Sequence, residues 1–568
     1  MAKRFLIAAL ILFFLIIAGY LFIRYRYLKV KSFTPDNSKA KNAIDLRPSI
    51  IAKLQQLVKD GSNGLYILSV EKIEPHLLSS KLDAFNASIR IDTAAMQHLD
   101  SLELLPDDIF TFTFPKLHID GIGIDDLLHK DRLELTGIIV LDPLINVYNK
   151  KRWYNKDDHR DTLSLYEKLK GQMRKIAIGK IEVMNGTVIN HTEKSTTKYN
   201  GVSVLVNEVL IDSTTQFDRS RFLFAKHARF STKNYSIPTK DGLYFFSAAN
   251  IIISGDQHTI TAQNVELRPR YNRRQFEDKL KFGKDMYQLL LPKVTLRDVD
   301  WPALINSDRF ILNEAITEGG TFKIFYDRAK PQAPIKLDNF PHQVLMTVPF
   351  PLSVKKWSVK NLDISYEEHN PLTDKNGTAY FDNATAEITN VTNIPSEIKR
   401  DPFSTISANA LFMHKTPLQV KFKYDLSKYR TGEFTADITM NSIDSTSINT
   451  IAAPLGLFTI KTGIMQKAVI HVQGNNLRTH GKITMLYSDL HITPLKKDED
   501  GDLKKKRVTS LLANVILIKN ENPKDNELRQ PDFTVERGTH KNFFNLLWTS
   551  VLTGIVKTVG IPTKMVRK

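Results

Sequence analysis

The chain contains no cysteine among its 568 residues, which excludes disulfide staples, thiolate metal sites and thiol chemistry. A bacterial periplasm and a reducing cytosol both permit such a chain. Catalytic signatures are missing as well: there is no nucleophile elbow, no glycine loop of the kind that cradles phosphate and no His-x-x-x-His pair. Asp157, Asp158 and His159 lie between Lys156 and Arg160 in a polar stretch that reads as an exposed loop. The acidic run 498–502 has the composition of a calcium loop, but its spacing fails for an EF-hand and lysines flank it. Glu367 and Glu368 have no partner in the sequence pattern that would shift a pKa. No catalytic, cofactor-binding or metal-ligating residue is therefore nominated, and no cofactor is expected.

Long apolar runs are equally scarce, and the exception is informative. Residues 5–23 carry no charge and are long enough to cross a bilayer core as a helix. A cleavable signal peptide would have a shorter apolar core ending in a small-x-small site. This run ends in Tyr20-Leu21-Phe22-Ile23-Arg24, which favours an uncleaved anchor. Charge does not orient it: Lys3 and Arg4 precede the run, while Arg24, Arg26, Lys29 and Lys31 follow it. A strict positive-inside count would keep the body in the cytoplasm, yet large domains translocate largely regardless of charge. The net charge of +18 has no basic helix or nucleic-acid motif to concentrate it, so a solvated basic surface with some affinity for anionic headgroups is expected, and no nucleic-acid partner.

What the sequence does have is an internal duplication. Residues 115–151 align without a gap on 292–328, at an offset of 177, with seven identities: Pro115/Pro292, Lys116/Lys293, Leu127/Leu304, Asp131/Asp308, Arg132/Arg309, Leu135/Leu312 and Ile139/Ile316. Chance at average composition gives roughly two. The flanks are colinear, 64–69 matching 242–247 at offset 178 and 181–190 matching 357–366 at offset 176. Tandem modules of this kind stack along an axis and build one extended surface.

Between these landmarks the texture is that of strands. Val420-Lys421-Phe422-Lys423-Tyr424 alternates apolar with basic residues, and 260–267, 322–326 and 434–440 show related β-rich patterning. Half-buried antiparallel strands, each with one apolar and one wet face, fit best. The fold class expected is mainly β: an elongated, repeating antiparallel β-groove with an N-terminal transmembrane helix and a C-terminal amphipathic helix. Helical signal is otherwise sparse, at 48–58, at 163–174 and at short corners around Leu127-Leu128 and Leu304-Ile305. From 541 to 560, Phe543, Phe544, Leu547, Trp548, Val551, Leu552, Ile555, Val556 and Val559 recur at three- and four-residue steps, with Asn545, Thr549, Thr553 and Gly554 opposite. Such a helix either packs on the end of a β core or lies in a membrane interface, the latter suited by Trp548 and the basic residues behind it.

Taken with the tail, the two copies resemble the AsmA-like envelope proteins. The phrases that carry the likeness are 114–121 leading to 141–145, then 181–188, and in the C-terminal part 456–461 and 481–490. The second copy departs from the first where Asp298 stands for Gly121 and Gly319-Gly320 for Asp142-Pro143. The resemblance implies an inner-membrane, single-pass protein with its bulk in the periplasm and a β-groove with an apolar floor, associated with phospholipid movement between inner and outer membranes and with outer-membrane integrity. It brings no catalytic residue. The expected division is 1–4 cytoplasmic, 5–23 anchor, 24–45 linker, 46–241 first β-groove module, 242–411 second module, 412–540 closing module and 541–568 amphipathic helix and tail. Candidate groove residues are Val420, Phe422, Tyr424, Ile470 and Val472; candidates for the membrane-interface helix are Phe543, Phe544, Leu547, Trp548, Val551, Leu552 and Ile555. Membrane lipids are the expected partners, with envelope proteins also possible. Two other readings stay open: a structural or assembly factor for outer-membrane proteins, and a membrane-anchored enzyme.

Overall fold

In the computed structural model the residues described are 55, 58–59, 62–76, 80–121, 132–155, 175–193, 196–215, 218, 221–222, 224–332, 334, 337–497, 503–505, 519–538 and 542–561. The anchor at 5–23, the linker, nearly all of the 48–58 helix, the 163–174 helix, the Leu127-Leu128 corner, Asp157–His159 and the acidic run 498–502 all lie outside them. The described chain is mainly β. It divides into two compact units, Met1–Ile237 with Ala248–Thr261, and Pro238–Ser247 with Ala262–Lys568.

The first unit runs β1 (Tyr66–His76), β2 (Lys81–Ile91), α1 (Thr93–Ser101), β3 (Asp108–Asp120), β4 (Arg132–Leu141), β5 (Leu144–Asn149), β6 (Lys175–Thr192), β7 (Thr196–Ile211) and β8 (Ala225–Pro238). Strands β9 (Tyr244–Ser254) and β10 (Thr259–Pro269) have residues in both units. The second unit continues with α2 (Arg273–Asp278), β11 (Met286–Arg297), α3 (Trp301–Ser307), β12 (Phe310–Glu318), β13 (Thr321–Asp327), α4 (Pro341–Met346), β14 (Leu352–Asn370), β15 (Lys375–Thr392), α5 (Pro395–Arg400), β16 (Phe403–Phe412), β17 (Thr416–Asp425), β18 (Phe434–Met440), β19 (Ile443–Asp444), α6 (Asn449–Gly456), β20 (Phe458–Gly474), β21 (Arg478–Lys497), β22 (Leu503–Lys505), β23 (Asp532–Glu536) and α7 (Phe543–Val559).

Pairing is antiparallel between most sequential neighbours, as alternation predicts, but each copy holds one parallel joint. Strand β3 pairs with both β4 and β5, two halves of one broken strand, and both halves then run parallel to β6. In the second unit β11, β12, β13 and β14 repeat this arrangement. Parallel neighbours need a connection of about a dozen residues or more, and 25 residues separate β5 from β6 while 24 separate β13 from β14. The break falls at Asp142, with φ +48, and at Gly319 and Gly320, with φ +72 and +127. A Cβ at Gly320 would lie 2.3 Å from the carbonyl oxygen of Leu290, so only glycine fits there.

The copies agree in backbone detail. Left-handed φ recurs at Ser80 and His258, Asn86 and Asn264, Gly121 and Asp298, Asn185 and Asn361, Gly201 and Asn383, and Glu208 and Asn390. Asparagine tolerates this conformation best among residues with a Cβ, and it holds six of these twelve places. Ile138 faces Ile181, 43 residues on, whereas Ala315 faces Trp357, 42 residues on, so the alignment slips from 177 to 176 inside the crossover. A tertiary hydrogen bond is duplicated too: the Phe110 N–H donates to Tyr66 Oη at 3.2 Å, and the Tyr287 N–H donates to Tyr244 Oη at 3.2 Å. Burial lifts both phenols to about 12.

Candidate functional site

Strand registry in the second unit turns short alternating patterns into long rows. Because cross-strand partners project to the same side of a sheet, a row can be followed from strand to strand. One row is Leu296, Ala315, Trp357, Ile388, Ile406, Phe422, Ala436, Val472, Gly481 and Phe533, one residue from each of ten strands between β11 and β23. Its neighbour two residues along is Val294, Thr317, Val359, Ala386, Ala408, Val420, Ile438, Ile470 and Ile483. Thr317 is the one hydroxyl in these two rows, and Trp357 Nε1 donates to its Oγ1 at 2.9 Å.

The other face is of opposite character. Lys356, Thr389, Thr405, Lys423, Thr435, Gln473, His480 and Thr534 form a row that is polar at every strand. The candidates Val420, Phe422, Tyr424, Ile470 and Val472 thus all lie on the apolar face. Val420 and Phe422 are half-buried, whereas Tyr424, Ile470 and Val472 are buried.

The first unit has equivalent rows. Leu117, Val140, Val183, Val204 and Phe230 occupy the places of Val294, Thr317, Val359, Ala386 and Ala408. Ile119, Ile138, Ile181, Val206 and Ala228 occupy those of Leu296, Ala315, Trp357, Ile388 and Ile406. Alternation breaks inside β14 for a physical reason. Trp357 and Val359 alternate, then an irregularity near Asn361, φ +54, shifts the phase so that Leu362, Ile364 and Tyr366 continue. A strict period of two misses that change.

Helix α7 covers the closing end of the apolar face. The Phe543 ring meets Phe434, Phe340, Phe422 and Tyr424 at centroid distances of 4.9, 5.1, 5.9 and 5.9 Å. The helix is buried not only through Phe543, Leu546, Val556 and Val559 but through a stripe of small residues, Ser550, Thr553, Gly554 and Thr558. This differs from the expected division of its faces, which set Thr553 and Gly554 on the wet side. Each hydroxyl donates to the carbonyl four residues earlier, at 2.7, 2.7 and 2.9 Å for Ser550, Thr553 and Thr558, so it enters the core already satisfied. Gly554 permits contact with Phe533 and Ile483, and Ser550 shares a 2.7 Å hydrogen bond with Thr479. Of the membrane-interface candidates, Phe543 is buried, Leu547, Val551, Leu552 and Ile555 are half-buried, and Phe544 and Trp548 are exposed at 53% and 39%.

A polar cluster fixes the start of this helix. Asn542 caps it by accepting from the Asn545 N–H at 2.8 Å, and its Nδ2 donates to Asp285 Oδ2 at 2.6 Å. Tyr287 Oη donates to the same oxygen at 3.1 Å. Nearby, Glu368 pairs with Arg328 and accepts from Tyr366 Oη at 3.2 Å. Burial raises the Asp285 carboxyl, partly offset by its Asn542 and Tyr287 donors. Sequence reasoning missed this cluster because its members are spread from 285 to 542 and share no motif. Among the described residues, no group of three or more His, Asp or Glu is placed to hold a metal ion, and no helix is long and apolar enough to cross a membrane. No family model matches the chain, and no curated protein matches it.

Proposed function

We propose that the apolar rows form the floor of a groove along which phospholipid acyl chains move, in an AsmA-like protein held in the inner membrane by residues 5–23 with its body in the periplasm. The observation that carries this reading is the ten-strand row from Leu296 to Phe533, lying beside a row that is polar throughout. An acyl chain exposed to water costs about 0.8 kcal/mol per CH₂, so a chain in transit needs uninterrupted apolar lining. The six strands of the row from β11 to β17 that precede the part covered by α7 give, at about 4.8 Å each, a strip roughly 25 Å long, about the length of one extended acyl chain. Between β14 and β16 the strip is half-buried at Trp357, Ile388 and Ile406, which leaves room for an apolar guest.

Photocrosslinking tests the reading. A photoreactive residue at Trp357, Ile406 or Phe422 is expected to label phospholipid, and one at Lys356, Thr405 or Lys423 is not. Labelling of protein alone from the apolar positions would favour a scaffold that holds partner polypeptides. A reporter fused behind Lys568 and active only in the cytoplasm would sink the envelope assignment.

A further inference from the structure

The two copies differ most in charge at one equivalent corner. In the first copy, 90–107 joins β2 to β3 and carries one Arg, no Lys and four acids. In the second copy, 268–284 joins β10 to β11 and carries seven Lys and Arg residues against two acids. The same turn of chain has thus reversed its sign, which the overall basic balance of the protein does not explain, since both copies share that background. Three of the seven cations have acidic partners: Lys284 with Asp241 at 2.8 Å, Arg268 with Glu266 at 3.9 Å, and Arg273 with Glu367. Among the described residues, Arg270, Arg274, Lys279 and Lys281 have no carboxylate within ion-pair distance, and all four are exposed. Aromatic rings lie between them: Arg270 stands 4.9 Å from the Phe245 ring, Lys279 5.5 Å from Tyr271, and Lys281 5.5 Å from Phe282.

We infer that the corner at 268–284 is a docking surface for the phosphate headgroups of an anionic membrane. Cations on flexible stems with no carboxylate partner are drawn to such a surface, and half-buried rings between them suit the headgroup layer. A polynucleotide fits less well, because these rings sit under cations and no open stacking platform is formed. The inference goes beyond the groove reading and stands whether or not the apolar rows carry acyl chains.

The test uses the full chain in phosphatidylcholine nanodiscs, floated with phosphatidylcholine vesicles that contain or lack phosphatidylglycerol. Binding is expected only with phosphatidylglycerol and to weaken as salt is raised. The variant Arg270→Glu/Arg274→Glu/Lys279→Glu/Lys281→Glu is expected to bind about 100-fold more weakly. A control with the same change in net charge on other exposed strand positions, Lys421→Glu/Lys423→Glu/Lys467→Glu/Lys482→Glu, is expected to lose less than about fivefold. Equal loss in both variants would reduce the effect to net charge and overturn the proposal. So would unchanged vesicle binding by the corner variant, and lost binding of polyglutamate or of a single-stranded oligonucleotide beside it would assign the corner to that ligand instead. Melting curves of both variants confirm that they are folded.

Discussion

Glu277 on α2 is 8% exposed, and neither carboxylate oxygen has a hydrogen-bond partner. Burial, with Asp327 nearby, pushes its carboxyl up to about 7. In the unfolded chain the same group ionises in the ordinary range near 4.5. The folded state therefore holds the proton over a window in which the unfolded state has released it. The sign follows: Glu277 favours folding fully below about 4.5, its contribution falls as pH rises to about 7, and above that it remains as a constant penalty. Glu277→Gln fixes the neutral shape, so it is expected to leave stability unchanged at pH 4 and raise it by about 1 to 2 kcal/mol at pH 8, after allowance for solvent screening. Urea melts at the two pH values measure this, and an equal effect at both would show that Glu277 is not held neutral. His342 works in the opposite direction. Burial lowers its imidazole to about 4, and both ring nitrogens lack partners, so it favours folding above its ordinary 6.5 and loses that contribution as pH falls toward 4. Between about 4.5 and 6.5 the two slopes oppose, which is why the single variant and not the wild-type profile separates them.

The element that departs most from its sequence pattern is α7. Its apolar residues span so broad an arc that periodicity alone does not say which edge meets the sheet. Close approach decides it: Gly554 and the back-bonded Ser550, Thr553 and Thr558 let the helix axis come near β21 and β23, while Phe544 and Trp548 remain outward. A Cβ at Gly554 would lie 2.9 Å from Phe533 and 3.1 Å from Ile483. Gly554→Val is accordingly expected to cost about 1 to 3 kcal/mol and to speed amide exchange across Phe543–Val559, whereas Thr549→Val, on the half-buried side, is expected to leave exchange nearly unchanged. Protection of α7 unaltered by Gly554→Val would mean the small-residue stripe does not set the docking. Other elements were legible because local pattern and environment agree. The alternation of Val420, Phe422 and Tyr424 with Lys421 and Lys423 places β17 correctly, and Leu304 falls in α3 where a short helical corner was expected. The parallel joints were not legible, since a strand broken at Asp142 or Gly319-Gly320 reads as a hairpin until its neighbour is known.

For the whole molecule, the duplication and the rows are one fact seen at two ranges. Copying a module with its bulges and left-handed positions intact copies the phase of its strands, and phase decides which face a side chain takes. That is how Leu117, Val140 and Val183 in one unit and Val294, Thr317 and Val359 in the other come to equivalent places although only Val183 and Val359 are identical. Selection on the apolar character of a row needs no particular residue, so the sequence drifts while the face persists. A continuous strip also fails as a unit, because a lipid tail that meets one charge midway loses its lining there whatever lies on either side. Ile406→Asp puts a carboxylate into the row between Ile388 and Phe422, and Thr405→Asp puts the same group one residue away on the polar row. Purified full chains are expected to carry several-fold less copurifying phospholipid by native mass spectrometry when Ile406 is changed, and wild-type amounts when Thr405 is changed. Equal loads in the two variants, at melting temperatures showing both to be folded, would mean that lipid does not travel on this face.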